Sequence, residues 1–591
     1  MENNKLDTRS FIAMGLISAI MMVYFFFFSP SSKQKPEDKK AQTEQVDTKK
    51  QAETPKTVLD SLPAQSTTAQ NVILQNKELQ IVFSSQGAQP KSVKLIPYTA
   101  YAENTKNHRT DLYLLNGKNS DLNVVFTENG KKINSRDLIF TPVQEGNKVT
   151  FVATSPAGGK LSFIYTLKEN YIVDFDIQSQ GITVSEKPSL SFSIRALEHE
   201  KGRKSESMRT DVHYAQNNFD KYSYVNGSDE EAIENTDYVA YKGQFFSVIL
   251  DNMKGFGQSK IKVTKEEDKK SPYLSLLAAT STFKEASLNA DMQWYFGPND
   301  KSIMKLSNRH YEKVVSFGWF IFGYLNEFFF APLFKFLNGL GWFNGGIIIL
   351  IMTILVKLIT APITYKQYRQ SAMMRVLKPE LDEINEKNKD ADPLKKQQAT
   401  MDLYRKAGVN PTAGCIPALL QMPIFMALLN LFPNLIELRG KSFLWADDLS
   451  AYDSIYSWTT DIPIISSFYG NHISLFTILY AASLFLLTKI QGVTAQAPQQ
   501  EGMPDMRFMV YLMPIMMLFF ANELASALSW YYVVSNVITI GLVLVIKNYF
   551  IDEDKIHAQL QENKTKPEKK KSKFSQLLEE AQRQQALKQA K

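Results

Sequence analysis

Cysteine is almost absent from this chain of 591 residues, in which Cys415 is the only one. An intrachain disulfide is therefore excluded. The six histidines are scattered and lack the spacing of a zinc site. A glycine-rich phosphate loop and a Ser/His/Asp motif are also missing. We therefore expect no metal, no cofactor and no enzymatic activity. The formal net charge of +7 is too small for this length to indicate nucleic-acid binding.

Apolar residues are segregated along the chain, and the lengths of the apolar runs predict six membrane spans. The spans are 11–28, 341–363, 414–436, 473–490, 508–521 and 528–547. The first run resembles a cleaved signal peptide in length. However, the following Ser29-Pro30-Ser31-Ser32-Lys33 offers no small-x-small cleavage site, which favours an uncleaved anchor.

Lysine and arginine are concentrated in the loop 364–413 and in the tail 548–591. They are absent from the turn 522–527, and the loop 437–472 contains only two. The positive-inside rule therefore places loop 364–413, loop 491–507 and the tail in the cytoplasm. With six spans, the N-terminal residues 1–10 are cytoplasmic too. The charges around the first span point the other way, but long translocated domains largely escape the rule.

The segment between the first two spans contains a polar stretch and a β-rich stretch. Residues 29–70 are rich in Lys, Gln, Glu, Thr and Pro, which predicts a disordered tether. Residues 71–310 contain alternating or β-branched runs separated by turn signals such as Asn129-Gly130, which predicts an all-β sandwich outside the cytoplasmic membrane. The runs are Leu79–Phe83, Leu122–Phe126, Lys148–Ala153, Leu161–Leu167, Tyr171–Ile177, Leu190–Ile194 and Phe245–Leu250.

One histidine in this β-rich stretch has acidic neighbours. His199 lies between Glu198 and Glu200, a combination that general acid–base catalysis uses. The surrounding sequence LEHEKGRK is strongly charged, and charged stretches usually form solvated loops. We therefore interpret it as a solvated loop.

Two further segments adjoin the spans. Residues 317–340 are apolar and aromatic but contain Glu327, Lys335 and Pro332, which favours an amphipathic helix on the outer membrane surface over a seventh span. Residues 364–413 predict a cytoplasmic helical hairpin with its turn before Pro393. This hairpin is either a docking or gating element or a solvated loop with a weak seam, and the sequence favours neither.

Lys357 is a positive charge within the second span. A lysine at the centre of a membrane helix costs about 2.5–3.5 kcal/mol on insertion scales, so such a residue is a functional candidate. Thr353, Lys357, Thr360 and Thr364 share one helix face. This polar stripe favours a water-filled cavity or a polar guest beside the span. The alternative is that Lys357 extends its ammonium group to the inner interface.

Polar and methionine side chains in other spans extend the candidate site. Gln421 lies in the third span, and Tyr532, Ser535 and Asn536 lie on or near one face of the sixth, where they either line a groove or form interhelical hydrogen bonds. Methionine is flexible and is common at surfaces that bind many partners. The candidate apolar wall consists of Met422, Met426, Met509, Met513 and Met516, for which ordinary lipid-facing packing is the alternative.

The core of the chain resembles the YidC/Oxa/Alb family of membrane-protein insertases, and within it the bacterial members with a large periplasmic domain. The resemblance rests on Gly408–Leu428 (GVNPTAGCIPALLQMPIFMAL), on Phe443-Leu444-Trp445 with Asp448-Leu449-Ser450, and on Tyr531–Ile540 (YYVVSNVITI). It implies a supersandwich fold for the β-domain, five spans in the insertase core, and a hydrophilic groove closed on the outer side. It also implies a cationic groove residue, usually arginine, at the position where this chain has Lys357.

The resemblance implies an insertase and chaperone of the bacterial inner membrane that acts from the cytoplasmic side, alone or with the Sec translocon. Its partners would be nascent membrane proteins, lipid and, through the cytoplasmic loops and basic tail, the ribosome. The alternative for the tail is a solvated segment whose positive charge only follows the positive-inside rule. A secondary transporter using Lys357 is the alternative function, but such proteins often contain internal repeats, and none is visible here. A membrane-anchored periplasmic enzyme or sugar-binding module is a third class that no catalytic motif supports.

Overall fold

The computed structural model describes residues 68–102, 105–388, 393–409, 416–460, 462, 465–491 and 506–565. The predicted anchor 11–28, nearly all of the tether, loop residues 492–505 and the tail beyond residue 565 lie outside the described residues.

The first 230 or so described residues form nineteen strands. In chain order they are β1 Asn71–Gln75, β2 Leu79–Ser84, β3 Gln89–Ala102, β4 Thr105–Asn116, β5 Ser120–Glu128, β6 Lys131–Asn134, β7 Thr141–Glu145, β8 Lys148–Thr154, β9 Lys160–Leu167, β10 Ile172–Gln180, β11 Ser189–Leu197, β12 Asp211–Gln216, β13 Lys221–Val225, β14 Asp229–Glu234, β15 Thr236–Lys242, β16 Phe246–Asn252, β17 Phe256–Lys265, β18 Tyr273–Phe283 and β19 Ala290–Pro298. Each of the seven predicted runs overlaps one of these strands.

These strands build an antiparallel sandwich, the β-domain, which confirms the predicted fold class. A nine-stranded sheet has the order β13-β12-β15-β16-β19-β10-β9-β8-β7, and a six-stranded sheet has the order β14-β17-β18-β11-β5-β6. A smaller sheet, β1-β2-β3-β4, completes the domain. The two large sheets meet through aromatic side chains, since the rings of Phe192 and Trp294 lie 4.9 Å apart and the Tyr241 hydroxyl donates to the Phe192 carbonyl.

Local turn chemistry sets the register of this domain. Asn129 and Gly130 join β5 to β6 with φ angles of +50° and +74°. Two successive left-handed residues make the hairpin turn whose twist matches that of the strands, and asparagine and glycine tolerate this conformation best. The alternation of buried and half-buried residues in β9 then places Phe163 and Tyr165 in the core.

Nine helices of eight or more residues follow in the described chain. They are α1 Phe320–Gly339, α2 Gly345–Val376, α3 Lys378–Lys387, α4 Pro393–Ala407, α5 Ile416–Leu431, α6 Leu475–Gln491, α7 Met506–Ala521, α8 Ser526–Val545 and α9 Glu553–Thr565. Among the described residues, α1, α2 and the stretch Ser526–Phe550 are long and apolar enough to cross a membrane, and α6 and the Tyr511–Ala521 part of α7 are shorter apolar helices. The total of six spans stays a prediction.

Helix α2 does not end at residue 363, where the sequence predicted the end of a span. It continues to Val376, so that the first arm of the predicted hairpin is the end of α2 followed by α3. The break falls at Leu377, two residues before Pro379. A proline cannot donate the next helical hydrogen bond, and it restricts the residue before it.

Helix α1 runs along the base of the β-domain. Glu327 pairs with Lys301, while Lys335 contacts Asp300 at 3.3 Å and the Ser302 hydroxyl at 3.1 Å. Glu327 and Lys335 are eight residues, or about 12 Å, apart along the helix. Both contact the same short segment of the β-domain, so the helix cannot lead straight away from it. This geometry supports the predicted surface helix, although the length of α1 also allows a span.

Helix α9 packs into the hairpin at the opposite end of the helical region. Its Ile556 and Leu560 are buried against Ala372 of α2 and against Tyr404 and Ala407 of α4. The Lys564 ammonium also pairs with Glu380 of α3 at 2.5 Å. The sequence predicted a seam between the hairpin arms alone. The structure shows that α9 supplies a third side, so the hairpin is part of a small packed unit.

Candidate functional site

Helices α2 and α8 run side by side and in the same direction. Near their first turns, the Trp530 indole donates to the Gly346 carbonyl at 3.0 Å. Toward their other ends, Tyr368 of α2 packs with Val543 and with Ile546 just beyond α8. The parallel arrangement means that both helices enter the membrane region from the side of the β-domain.

Lys357 lies eleven residues after Gly346 and eleven before Tyr368, at the middle of this helix pair. It is thus about 16 Å along α2 from either contact. Its side chain is half-buried, between the buried Val356 and the exposed Leu358. Among the described residues, no ion pair or hydrogen bond to its ammonium group is found.

The threonines of the predicted stripe occupy the same face, but their hydroxyls are used locally. Thr353 is fully buried and donates to the Ile349 carbonyl at 2.7 Å, and Thr360 donates to the Val356 carbonyl at 2.9 Å. Such bonds to the preceding helical turn satisfy a hydroxyl donor inside an apolar helix. The stripe therefore contributes acceptors rather than free donors, and Lys357 is its distinctive donor.

Tyr532 joins three helices. Its ring lies 5.5 Å from Phe425 of α5 and 5.2 Å from Tyr480 of α6, and its hydroxyl faces the Gln421 side chain of α5. The buried hydroxyls of Tyr531 and Tyr532 make no well-formed hydrogen bond in the described structure. Buried polar groups are normally paired, so the Tyr531 hydroxyl marks a place where a further polar group would be stabilised.

The other polar residues of α8 divide between the two predicted roles. The Asn536 amide donates to the Ser483 hydroxyl of α6 at 2.9 Å, so this residue makes the interhelical hydrogen bond that was the alternative to a groove role. Ser535 is buried one position before it. The structure thus buries Tyr532, Ser535 and Asn536 on α8, with Gln421 of α5 beside Tyr532.

The predicted methionine wall is uneven in exposure. Met422 and Met513 are about half exposed, whereas Met426 and Met516 are partly buried. The side chain of Met509 lies outside the described residues. Met517, next to Met516, is the most buried of the described methionines in α7. The exposed members are available to lipid or to an apolar segment.

Comparisons with known proteins match both halves of this architecture. Residues 71–336 match the family model described as the YidC periplasmic domain, and residues 336–554 match that of the 60Kd inner membrane protein. A relative from Parabacteroides distasonis, named membrane protein insertase YidC, is 40% identical over 86% of this chain and 82% of its own length. The chain belongs to the YidC family of membrane protein insertases.

Other relatives share this name. Those from Azobacteroides pseudotrichonymphae and Bacteroides fragilis are each 35% identical over 87% of this chain, and over 86% and 84% of their own lengths. These names support the insertase hypothesis and not the transporter. A galactose mutarotase-related enzyme from Lactobacillus acidophilus covers 39% of this chain at 12% identity, and its TM-score of 0.26 is too low for any argument.

The loop between α5 and α6 contains a buried carboxylate that sequence reasoning missed. Asp453 accepts hydrogen bonds from the Trp445 indole at 2.8 Å and from the amides of Leu475 and Phe476 at 2.9 and 3.1 Å. The Ser474 hydroxyl donates to it as well. Asp453 thus satisfies the free amides at the start of α6, where a negative charge is also favourable. An Asp that lies 22 residues before the helix gives no local capping signal.

The turn between α7 and α8 is tied to the same loop. The Asn522 side chain donates to the carbonyls of Tyr469 and His472, and its backbone carbonyl lies 2.8 Å from the His472 Nε2. The His472 ring stacks on Tyr452. Burial lowers the pKa of His472 to about 4, and the bond to Asn522 only partly offsets this. The turn Asn522–Ala527 is therefore held by hydrogen bonds to the α5–α6 loop.

The interpretation of LEHEKGRK as a solvated loop is wrong. Glu200 and Glu206 are buried, and the Glu206 carboxylate accepts hydrogen bonds from the His199 and Glu200 amides at 3.0 Å each. Burial lowers the pKa of His199 to about 4. These charged residues can be buried because each has a partner, and some of the partners belong to the helical region. A sequence pattern does not reveal partners that are distant in the chain.

Proposed function

We propose that this chain inserts membrane proteins by admitting a polar stretch of the substrate beside α2 and α8, with Lys357 as its electrostatic anchor. The observation that carries this proposal is Lys357 itself. A half-buried ammonium group in the middle of an apolar helix, without an acidic partner among the described residues, is costly unless it serves a polar guest. The buried hydroxyl of Tyr531, in the second turn of α8, offers a further hydrogen bond to such a guest.

The proposed route begins at the end of the helices opposite the β-domain. The hairpin α3–α4 and α9 lie at that end, and the positive-inside rule assigns their basic residues to the cytoplasm. In this topology the β-domain is periplasmic, the protein is a multi-pass inner-membrane protein, and both termini are cytoplasmic. The parallel entry of α2 and α8 from the β-domain side supports this topology.

The apolar part of the substrate follows a different path. Met422 on α5 and Met513 on α7 are exposed and adaptable, so an apolar segment can slide along them into lipid. Each apolar residue that leaves water supplies driving force, at roughly 25 cal/mol per Å² buried. Lys357 and its polar neighbours lower the barrier for the hydrophilic tail, and no nucleotide or metal is required. The Sec translocon and the ribosome are proposed partners of this pathway.

The test is the insertion of substrates with acidic or neutral N-terminal tails in cells depleted of the native protein. Lys357→Glu should reduce insertion of the acidic-tailed substrate by about tenfold or more, because repulsion replaces attraction, and Lys357→Arg should retain most activity. Lys366→Glu is the matched control, since Lys366 lies on the same helix but is exposed. Normal insertion of the acidic-tailed substrate by Lys357→Glu would show that the charge has no role.

A further inference from the structure

An ion pair buried between the β-domain and the helical region has no part in the function proposed above. Arg439 of the α5–α6 loop donates from Nε to the Glu200 carboxylate of the β-domain at 2.7 Å. The two side chains are only 4% and 6% exposed. A buried pair of this kind is weak evidence for stability, but removal of one partner leaves an uncompensated charge and is strongly unfavourable.

A second pair of opposite polarity lies beside the first. Here the β-domain supplies the arginine, and Arg109 donates to the fully buried Asp448 at 3.1 Å. The Tyr101 hydroxyl also donates to Asp448, at 3.3 Å. Arg439 additionally donates to the Thr99 carbonyl at 2.7 Å. Since each surface contributes one buried acid and one arginine, a shifted docking position would bring like charges together or leave them unpaired.

The α5–α6 loop transmits this contact to the helices of the candidate site. The Asp448 carbonyl accepts a hydrogen bond from the Ser526 hydroxyl at 2.9 Å, and the Ser526 and Ala527 amides donate to the Ala451 and Leu449 carbonyls at 2.7 and 3.0 Å. Ser526 and Ala527 are the first residues of α8. The first turn of α8 is therefore fixed to a loop that the ion pairs hold against the β-domain.

The same loop also fixes α2. The Phe443 ring lies against Gly346, where a Cβ atom would come within 2.2 Å of it, and 5.2 Å from the Trp530 ring of α8. Only glycine leaves room for the ring at this position. The loop thus holds the first turns of α2 and α8 together, about 16 Å along α2 from Lys357.

We propose that Glu200, Arg439 and Asp448 are positioning residues, through which the docked β-domain sets the relative placement of α2 and α8 and thereby the geometry around Lys357 and Tyr532. The docking itself stands on the contacts alone, whereas its effect on insertion rests on the proposed function. The β-domain is in this respect a fixed support of the insertase core rather than an independent module.

The experiment is a double-mutant cycle in the full chain, in its native membrane, with Glu200→Leu, Arg439→Met and both together. Docking is read from a cross-link between Lys204→Cys and Glu523→Cys in a Cys415→Ser background, joined by a short bis-maleimide. The native side chains of this reporter pair lie 3.8 Å apart across the contact. Insertion of an acidic-tailed substrate is measured in the same cells.

Each single change should lower the cross-link yield and the insertion rate severalfold, because it leaves one buried charge unpaired. The double variant replaces the pair by apolar side chains and should recover most of both signals. Lys441→Met is the matched control, because Lys441 lies two residues from Arg439 in the same loop but is exposed, and it should match the parent.

Two results would overturn the proposal. Parental cross-link yields in both single variants would show that the ion pair does not hold the domains together. A reduced yield with parental insertion would show that docking does not position the site. Failure of the proposed function gives a different pattern, since Lys357→Glu would then leave insertion unchanged while the docking cycle kept its cross-link response.

Discussion

The outer ends of the membrane helices and their middle differ in how they treat buried polar groups. At the outer ends, Asp448, Asp453 and Asn522 each make several hydrogen bonds and bind loops, turns and helix starts together. In the middle of α2, Lys357 has no partner among the described residues, and in the second turn of α8 the Tyr531 hydroxyl is buried without a well-formed bond. At the outer end the buried polar groups are paired and hold the segments together. Farther along the helices, polar groups remain unpaired and are available to a substrate.

This contrast explains how an insertase can bury unpaired polar side chains and still keep a stable fold. Satisfied buried networks rigidify a structure, whereas unsatisfied ones cost free energy. A closed outer end can compensate for the unpaired groups in the middle of the same helices.

The largest expected effect tests the outer network. Asp453→Ala removes the acceptor for four donors and the cap of α6, and it should lower the free energy of unfolding by at least about 3 kcal/mol. Thermal unfolding of the purified full chain in detergent measures this loss. Lys441→Ala in the same loop is the control, since Lys441 is exposed and its loss should change the melting temperature little. A melting temperature for Asp453→Ala equal to that of the control would mean that the network is not rigid.

The next effect is a dependence of stability on pH. The folded-state pKa of His199 and His472 is about 4, below the unfolded value of about 6.5, so the unfolded chain binds more protons between these values. The contribution of these neutral histidines to the free energy of unfolding is fully present above pH 6.5 and is lost as the pH falls toward 4. At pH 5 the loss is about 2 kcal/mol per histidine.

Melting temperatures at pH 7.5 and pH 5 measure this loss, and the loss should be smaller in His472→Gln, which cannot bind the extra proton. Equal melting temperatures of the parent chain at the two pH values would contradict the buried, neutral state of these histidines.

The smallest effect compares two hydroxyls on one helix. Ser526→Ala removes a bonded hydroxyl at the start of α8 and should destabilise the chain by about 1 kcal/mol. Tyr531→Phe removes an unpaired one and should be neutral or stabilising by up to about 1 kcal/mol, because a desolvation cost disappears. Parallel unfolding measurements decide the sign, and destabilisation by Tyr531→Phe would show that its hydroxyl has a partner.

Much of the fold followed from local patterns. Period-two alternation and Asn-Gly turns located strands such as β8 and β9, because both signals act within a few residues. The end of α2 was misplaced, since the change from lipid-facing to water-facing residues at 363 does not interrupt a helix, whereas Pro379 does. The role of LEHEKGRK was also misjudged, because the partner of Glu200 lies 239 residues away.

The amino-acid sequence by itself determined the β-rich segment, the apolar helices and the lysine in the middle of one of them, since these depend on composition and short-range periodicity. The tertiary structure decided which polar groups are paired. It joined Glu200 to Arg439 and Asp453 to the start of α6, and it left the Tyr531 hydroxyl unpaired. Pairing between distant residues depends on packing in three dimensions, and one-dimensional spacing carries no record of it.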